Sequence, residues 1–170
     1  MESKEIYFAA GCFWGTQRLF QCIDGGLQTS CGYANGKDLP QPPSYQQVCT
    51  GDTGCRETVC VTYDPSRVSL SQLLKAFFYV VDPSVRNRQG NDIGSQYQTG
   101  IYYVDSSSAA EVRSYLEEEK QKHPVFQVES GFLKQFFPAE DYHQDYLLKN
   151  PRGYCHIPRI AFETIDGLIR

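Results

Sequence analysis

The chain has 170 residues, of which 41% are hydrophobic and 21% are charged, and its formal net charge is −4. This length predicts a single globular domain over residues 1–170, and the acidic balance argues against a nucleic-acid-binding protein. No stretch approaches the roughly 18 consecutive apolar residues of a membrane span, and the first residues lack the pattern of a signal peptide. We therefore expect a cytoplasmic monomer with no nucleic-acid or membrane partner.

Hydrophobic periodicity divides the chain into strands and helices. The clearest helix begins after Ser69, which forms a capping box with Gln72, and it ends before Pro83. Strands are predicted where apolar and polar residues alternate. In chain order, the predicted elements are a strand over residues 5–9, a helix over 13–23 that is stopped by Gly25-Gly26, strands over 27–33 and 58–63, a helix over 70–81, a strand over 100–104, a helix over 107–122, a strand over 125–129 and a helix over 139–148.

The order strand, helix, strand, strand, helix, strand is that of a split βαβ arrangement. We therefore predict an α+β fold, a ferredoxin-like plait in which a sheet and its helices form a two-layer sandwich, with extra helices near the carboxyl terminus. Two long loops interrupt this order, over residues 34–54 and 82–98. Ordered loops of such length tend to carry function, so we expect functional residues in both.

Seven cysteines are present, and they are Cys12, Cys22, Cys31, Cys49, Cys55, Cys60 and Cys155. An odd number in a chain without an export pattern argues against a disulfide framework. Because no Cys-x-x-Cys pair occurs, we predict no structural zinc site, and nothing in the sequence calls for a cofactor. Most of the central cysteines are predicted to be small buried side chains.

The first cysteine lies in the most informative segment, residues 11–15, which read Gly-Cys-Phe-Trp-Gly. Cys12 follows a predicted strand and precedes a predicted helix, where free backbone N–H groups and the helix dipole favour an anion. We therefore expect its thiol to ionise more readily than that of a free cysteine. Phe13 and Trp14 add flat apolar surface beside the sulfur. The segment predicts cysteine chemistry on a small apolar group.

Three further motifs accompany residues 11–15. They are Thr53-Gly54 with Glu57-Thr58-Val59, Arg88-Gln89-Gly90-Asn91-Asp92 with Gln96-Tyr97, and Tyr142-His143-Gln144-Asp145-Tyr146. Together the four motifs resemble those of the A-type peptide-methionine sulfoxide reductases, which reduce the S epimer of methionine sulfoxide. They occur in the family's order, and the likeness extends from about residue 6 to residue 156. The resemblance implies thiol-dependent reduction of free and protein-bound methionine sulfoxide.

The resemblance also implies how the reaction is divided among residues. Cys12 is the nucleophile, a position at which some family members carry selenocysteine. Glu57 is the acid for the departing oxygen, and burial must raise its pKa for that role. Tyr45 and Tyr97 bind the sulfoxide oxygen through their hydroxyls, and Asp92 helps to hold the site through its hydrogen bonds.

Further residues are implied to contact the substrate and to complete the cycle. Phe13 and Trp14 form the wall for the substrate's methyl group, and His143 is a further substrate-binding candidate. Oxygen transfer leaves a sulfenic acid, which condenses with a second thiol. The resemblance assigns that thiol to Cys155 and the reduction of the resulting disulfide to thioredoxin. The alternatives for the second thiol are Cys22, Cys31, Cys55 and Cys60.

Other interpretations of these residues stay open at the level of sequence. Cys12 could be an inert buried thiol, Glu57 an exposed charge on a strand edge and Asp92 a turn former, while the aromatic candidates and His143 could be structural. For the whole protein, a thiol peroxidase would use a similar pair of cysteines, and a metal-binding module could use the surplus thiols. Turnover of peroxide would indicate the first, and stoichiometric zinc the second.

Overall fold

A six-stranded sheet forms the centre of the computed structural model, which describes residues 2–25 and 27–170. The strands of this part of the chain are β1 (Lys4–Ala9), β2 (Gln28–Ala34), β3 (Arg56–Tyr63), β4 (Arg88–Gln89), β5 (Asp92–Ile93), β6 (Gly100–Tyr103), β7 (Glu129–Phe132) and β8 (Phe136–Pro138). The α-helices are α1 (Phe13–Gln21), α2 (Tyr45–Cys49), α3 (Leu70–Val80), α4 (Ser106–Lys120), α5 (Tyr146–Lys149) and α6 (Arg159–Ile169). Two 3₁₀ turns cover Ser95–Tyr97 and Asp141–His143.

The strands of the sheet lie side by side in the order β7, β6, β1, β3, β2, β8. β1 is antiparallel to β3 and β6, and β2 is antiparallel to β3 and β8. β7 pairs with β6 in parallel, and β4 and β5 form a separate hairpin. β1 and β2 thus run in the same direction with β3 between them. The architecture is a mixed α and β fold with a sheet core.

The two faces of the sheet are covered differently. Phe8 and Val61 belong to the large apolar cluster on the face against which α1 and α3 pack. Cys60 and Tyr102 point to the other face, where Phe136 helps to cover a smaller cluster. Burial of apolar area is the main favourable term in folding. The helix-bearing face is therefore the one that fixes α1 to the sheet.

One edge of the sheet collects the ends of four strands. β1 and β2 end there at Ala9 and Ala34, and the antiparallel β3 and β6 begin there at Arg56 and Gly100. The chain segments next to these ends contain the candidate residues of the two long loops, of the turn into α1 and of the start of β3. The topology therefore brings together residues that are far apart in sequence.

Several local predictions are confirmed. The predicted order of strand, helix, strand, strand, helix, strand is present as β1, α1, β2, β3, α3, β6. The capping box at α3 has both of its hydrogen bonds, since Ser69 and Gln72 each accept from the backbone N–H of the other. Gly26, one of the two glycines predicted to stop the first helix, lies outside the described residues.

Other local predictions are wrong. The predicted helix over 139–148 is a 3₁₀ turn followed by the short helix α5, because Asp145 adopts a left-handed conformation with φ +56° and its backbone N–H donates to Gln17 Oε1. The strand predicted over 125–129 is β7, shifted towards the carboxyl terminus by its pairing with β6. The sequence analysis did not predict α2, β8 or α6. None of the helices in residues 2–25 and 27–170 is long and apolar enough to cross a membrane.

Candidate active site

Cys12 lies between β1 and α1, at the amino-terminal cap of the helix. The turn that presents it requires glycine at position 11, where φ is +89° and an added Cβ would lie 2.8 Å from Gln89 Cβ. The side chain is nearly enclosed, since Cys12 is 7% exposed. Strand pairing and helix packing therefore fix the thiol in a confined space at the edge of the sheet.

The thiol of Cys12 does not have the lowered pKa that its position suggested. Burial raises the pKa well above its ordinary value, and the charges of Glu57 and Asp92 raise it further. A hydrogen bond from the backbone N–H of Trp14 lowers it, as expected at a helix start, but has the smaller effect. The prediction of an easily ionised thiol is wrong because removal from water outweighs the helix terminus.

Glu57, the second residue of β3, is the most deeply buried acid of the site at 1% exposure. Its Oε1 accepts a hydrogen bond of 3.1 Å from the backbone N–H of Phe13, while Oε2 is buried with no partner among the described residues. Burial raises the pKa of Glu57 from 4.5 to about 8, with a further rise from Asp92. At neutral pH the carboxyl group is therefore mostly protonated and can donate a proton.

The two candidate tyrosines come from the two long loops. Tyr45 is the first residue of α2, and Tyr97 ends the first 3₁₀ turn. Burial raises the pKa of both hydroxyls above the ordinary value, and the charge of Glu57 raises both further. Both hydroxyls therefore stay protonated under physiological conditions and are available as hydrogen-bond donors near Glu57.

An aromatic cluster lies beside Cys12. The indole of Trp14 stacks on the Tyr146 ring at 3.8 Å between centroids, and its Nε1–H donates to His143 Nδ1 at 3.0 Å. His143 is 1% exposed and contacts the rings of Phe13 and Tyr45. Burial lowers the pKa of His143, so the ring is neutral and its Nε2 carries the proton. These rings can enclose an apolar group.

Tyr146 and Glu140 are site residues that the sequence analysis did not single out. Tyr146 was quoted only as part of a motif, although it follows His143 by three residues. The carboxylate of Glu140 accepts from the Tyr33 hydroxyl at 2.7 Å and from the backbone N–H of Tyr45 at 3.0 Å. Glu140 thus holds the start of α2, and no local pattern could have revealed a contact between residues 95 positions apart.

Asp92 connects the second long loop to the segment that carries Cys155. Its Oδ1 accepts from the Tyr154 hydroxyl at 2.9 Å, and its Oδ2 is buried 3.9 Å from Nδ1 of His156. The sulfur of Cys155 accepts from the backbone N–H of Ile157 at 3.3 Å. The side chain of Asp92 thus makes one hydrogen bond to this segment, through Tyr154.

The sulfur of Cys155 lies directly against α1. A Cβ added to Gly15 would be 2.7 Å from Cys155 Sγ. Gly15 is three residues after Cys12, so the two positions share one face of the first helical turn. The second glycine of the Gly-Cys-Phe-Trp-Gly segment thus leaves the space that Cys155 occupies, on the side of the helix that carries Cys12.

The remaining thiols lie in other environments. Cys22 is at the far end of α1, ten residues or roughly 15 Å along the helix from Cys12. Cys31 is buried under α1 with its S–H directed at Gln17 Oε1, and Cys60 is on the opposite face of the sheet. Cys55 is buried and Cys49 is exposed. In residues 2–25 and 27–170, no group of three His, Cys, Asp or Glu side chains is arranged to hold a metal ion.

A confined thiol, a protonated carboxyl group and two hydroxyl donors beside aromatic rings are groups that suit a thiol-dependent redox enzyme. Comparison with known proteins agrees with this class. The sequence model of the family described as peptide methionine sulfoxide reductase matches residues 4–165. The chain belongs to this family, and it is an oxidoreductase that acts on methionine sulfoxide.

Individual relatives cover most of the chain. The peptide methionine sulfoxide reductase MsrA of Mycoplasma pneumoniae is 50% identical over 155 residues, which are 91% of this chain and 98% of that protein. Reduced Mxr1 from Saccharomyces cerevisiae is 38% identical with a TM-score of 0.85, and the match covers 91% of this chain and 89% of the other. Mxr1 has also been solved in complex with Trx2, where the matched chain is 24% identical over 85% of both chains, with a TM-score of 0.61.

Proposed function

We propose that Cys12 and Glu57 carry out the reduction of methionine S-sulfoxide as nucleophile and acid. The observation that carries this proposal is the buried Oε2 of Glu57, which has no hydrogen-bond partner in the described part of the chain. It belongs to a carboxyl group whose pKa is raised to about 8, in the same enclosed site as the thiol. A sulfoxide oxygen leaves only when it is protonated, and a proton held at neutral pH is what this carboxyl group offers.

In the first half of the reaction, the sulfur of Cys12 attacks the sulfur of the substrate. An S–S bond forms between the two sulfurs, the S–O bond of the substrate breaks as Glu57 protonates the oxygen, and the proton of the thiol replaces the one that Glu57 gave. The oxygen, now a hydroxide, then bonds to the Cys12 sulfur, and the S–S bond breaks as methionine leaves. The products are methionine and Cys12 sulfenic acid, so the oxygen and two electrons are exchanged between the two sulfurs. The hydroxyls of Tyr45 and Tyr97 donate to the oxygen as negative charge develops on it.

The substrate's methyl group fits against the aromatic rings of Phe13, Trp14 and Tyr146. Stacking of Tyr146 on Trp14 makes this wall rigid. The neutral ring of His143 also holds it in place, because it accepts a hydrogen bond from the indole N–H of Trp14. Because the contacts are made to the methyl end, free and protein-bound methionine S-sulfoxide are both substrates. Asp92 contributes by holding the carboxy-terminal segment at the site.

In the second half, Cys155 attacks the sulfur of the sulfenic acid. Its thiol proton and the departing hydroxide form water, and a disulfide joins Cys12 to Cys155. The support is the position of the Cys155 sulfur against Gly15, three residues after Cys12. Thioredoxin then reduces the disulfide by exchange, a step supported by the complex of yeast Mxr1 with Trx2.

We also assign the fold to the ferredoxin-like plait and the whole chain, residues 1–170, to one domain. The support is the order β6, β1, β3, β2 with antiparallel neighbours, and a core cluster with members from Ile6 to Ile169.

The seven cysteines are free thiols, which suits the reducing conditions of the cytoplasm. We further propose a monomer as the working unit.

The test is to supply the reduced protein with each epimer of a blocked methionine sulfoxide and with dithiothreitol. The S epimer should be reduced catalytically, and the R epimer should be left unchanged because its oxygen points away from the donors. The same preparation is then given hydrogen peroxide. Peroxide turnover faster than sulfoxide turnover, or equal use of both epimers, would contradict the proposal and favour a thiol peroxidase.

A further inference from the structure

Cys155 lies between two residues whose side chains are both anchored to the active site. The hydroxyl of Tyr154 donates to Asp92, and the ring of His156 contacts the carbonyl oxygen of Ala10 at 3.1 Å through Nε2. The segment has no helix or strand of its own between α5 and α6. Its position therefore depends on side-chain contacts, which include the packing of Ile157 in the apolar core and the hydrogen bond of the His156 ring.

The contacts of His156 determine where its ring proton lies. A carbonyl oxygen only accepts hydrogen bonds, so Nε2 carries a proton and donates it to Ala10. Nδ1 is buried and faces Oδ2 of Asp92, which is also buried, at 3.9 Å, and neither atom has a hydrogen-bond partner among residues 2–25 and 27–170. Ala10 is two residues before Cys12. The ring thus connects the residue after Cys155 directly to the turn that presents the other sulfur.

We propose that His156 is a positioning residue for disulfide formation, and that its hydrogen bond to Ala10 holds the reduced Cys155 against Gly15 before the sulfenic acid forms. The role rests on the proposed function, in which Cys155 is the resolving thiol. The fit around the ring is close, since a Cβ added to Gly11 would be 3.2 Å from Nε2. Asp92 holds the segment on the amino-terminal side of Cys155, through the hydroxyl of Tyr154.

Such positioning accelerates the step because it removes the search for the second sulfur. In that step the S–H bond of Cys155 and the S–O bond of the sulfenic acid break, and the S–S bond and one molecule of water form. A thiol held beside the reacting atom has lost its freedom before the reaction begins. A sulfenic acid that waits is open to further oxidation, so a faster step also protects the enzyme.

The experiment compares His156→Ala and His156→Gln with the unchanged protein in a single turnover with one equivalent of substrate. Two rates are measured on the same samples, the release of methionine and the formation of the Cys12–Cys155 disulfide, with dimedone to trap the sulfenic acid. In His156→Ala, the ratio of disulfide formation to methionine release should fall about tenfold, as expected for one lost buried hydrogen bond. His156→Gln should restore most of the ratio, because its amide N–H can reach Ala10.

A matched control is His123→Ala, which removes a histidine that pairs with Glu119 on α4, away from the site. It should leave the ratio unchanged. If His156→Ala does not fold, His156→Leu, which keeps the volume but has no donor, is compared with His156→Gln. An unchanged ratio in the variant without a donor, or an equal fall in His156→Gln, overturns the proposal. Failure of the proposed function is distinct, since a Cys155→Ser protein would then still form an intramolecular disulfide with Cys12.

Discussion

Cys12 and Cys155 are held by different parts of the molecule. The backbone around Cys12 is fixed by β1, by its neighbour β3 and by the packing of α1 on the sheet. Cys155 lies on an irregular segment that is held by the side chains of Tyr154 and His156. A sheet is built from many cooperative contacts, whereas such a segment opens with the loss of a few. The two halves of the reaction should therefore respond separately to substitution.

The largest effect is expected from substitution of Cys12, whose sulfur is held in place by the sheet and α1. Cys12→Ser should abolish reduction with any reductant, because a serine hydroxyl is far less nucleophilic than a thiol at neutral pH. The measurement is release of methionine from the S epimer with dithiothreitol and, separately, with thioredoxin. Repeated turnover in either assay would move the nucleophile to another cysteine.

At the other sulfur, the effect should depend on the reductant. Cys155→Ser should release one methionine per protein and then stop in the thioredoxin assay, because thioredoxin attacks a disulfide and none has formed. Excess dithiothreitol should restore part of the turnover by attacking the sulfenic acid itself. Normal turnover with thioredoxin would show that another thiol resolves, and mass spectrometry of the oxidised protein would identify it.

Substitution of Glu57, the proposed acid of the first half of the reaction, should cause a partial loss of activity. Glu57→Gln should slow methionine release about 10²- to 10⁴-fold, the range for a lost general acid, because the amide still accepts from Phe13 but has no proton to give. In the unchanged protein, activity should fall as the pH rises through about 8, where Glu57 loses its proton. The variant should lack this fall. If the fall persists in Glu57→Gln, a different group is the acid.

Gly15 lies on the helix that follows Cys12 and packs against the sulfur of Cys155. Gly15→Ala would place a methyl group 2.7 Å from the sulfur of Cys155, so disulfide formation should slow about tenfold to a hundredfold, as for a misplaced reacting group. Gly167→Ala is the matched control, since an added Cβ on α6 meets nothing within 4 Å. That variant should form the disulfide normally and gain about 0.5–1 kcal/mol of stability from better helix propensity. An equal rate in both variants would contradict the proposed contact.

The smallest effect is expected at Glu140, which acts through Tyr45. In Glu140→Gln one acceptor oxygen is lost, so the start of α2 is held less firmly and kcat should fall about two- to tenfold. The same change in a Tyr45→Phe protein should have little further effect, because the hydroxyl that Glu140 positions is already missing. Fully additive losses would mean that Glu140 acts elsewhere, and a melting curve for each variant separates loss of fold from loss of rate.

Whether a feature could be predicted from sequence depends on how far apart in the chain the interacting residues lie. The capping box at Ser69 is local, and it was recognised and is confirmed. The same signal at Ser44 and Gln47 starts α2 and was overlooked. The helix predicted over 139–148 failed because Asp145 makes its contacts with α1, more than a hundred residues away. Periodicity in a window of sequence cannot contain such contacts.

For the site the division is similar. Cys12 and Glu57 were named from motifs, and a raised pKa of Glu57 was expected because the implied role requires it; the roles of both remain predictions. The pKa of Cys12 was predicted in the wrong direction, because the depth of burial depends on the packing of α1. No sequence pattern pointed to His156, since its proposed role depends on contacts with Ala10 and Asp92 that form only in the folded chain.

The burial of Glu57 also makes folding a proton-binding event. At pH 7 this carboxyl group is ionised in an unfolded chain, since its ordinary pKa is 4.5. In the folded chain it stays protonated in most molecules until the pH approaches about 8. The folded state is therefore weakened as the pH rises from about 4.5 to 8, by about 3 kcal/mol at pH 7 if one pKa unit corresponds to about 1.4 kcal/mol. Typical domains are stable by about 5–15 kcal/mol. Beside such values, about 3 kcal/mol is a considerable cost for keeping one buried carboxyl group protonated.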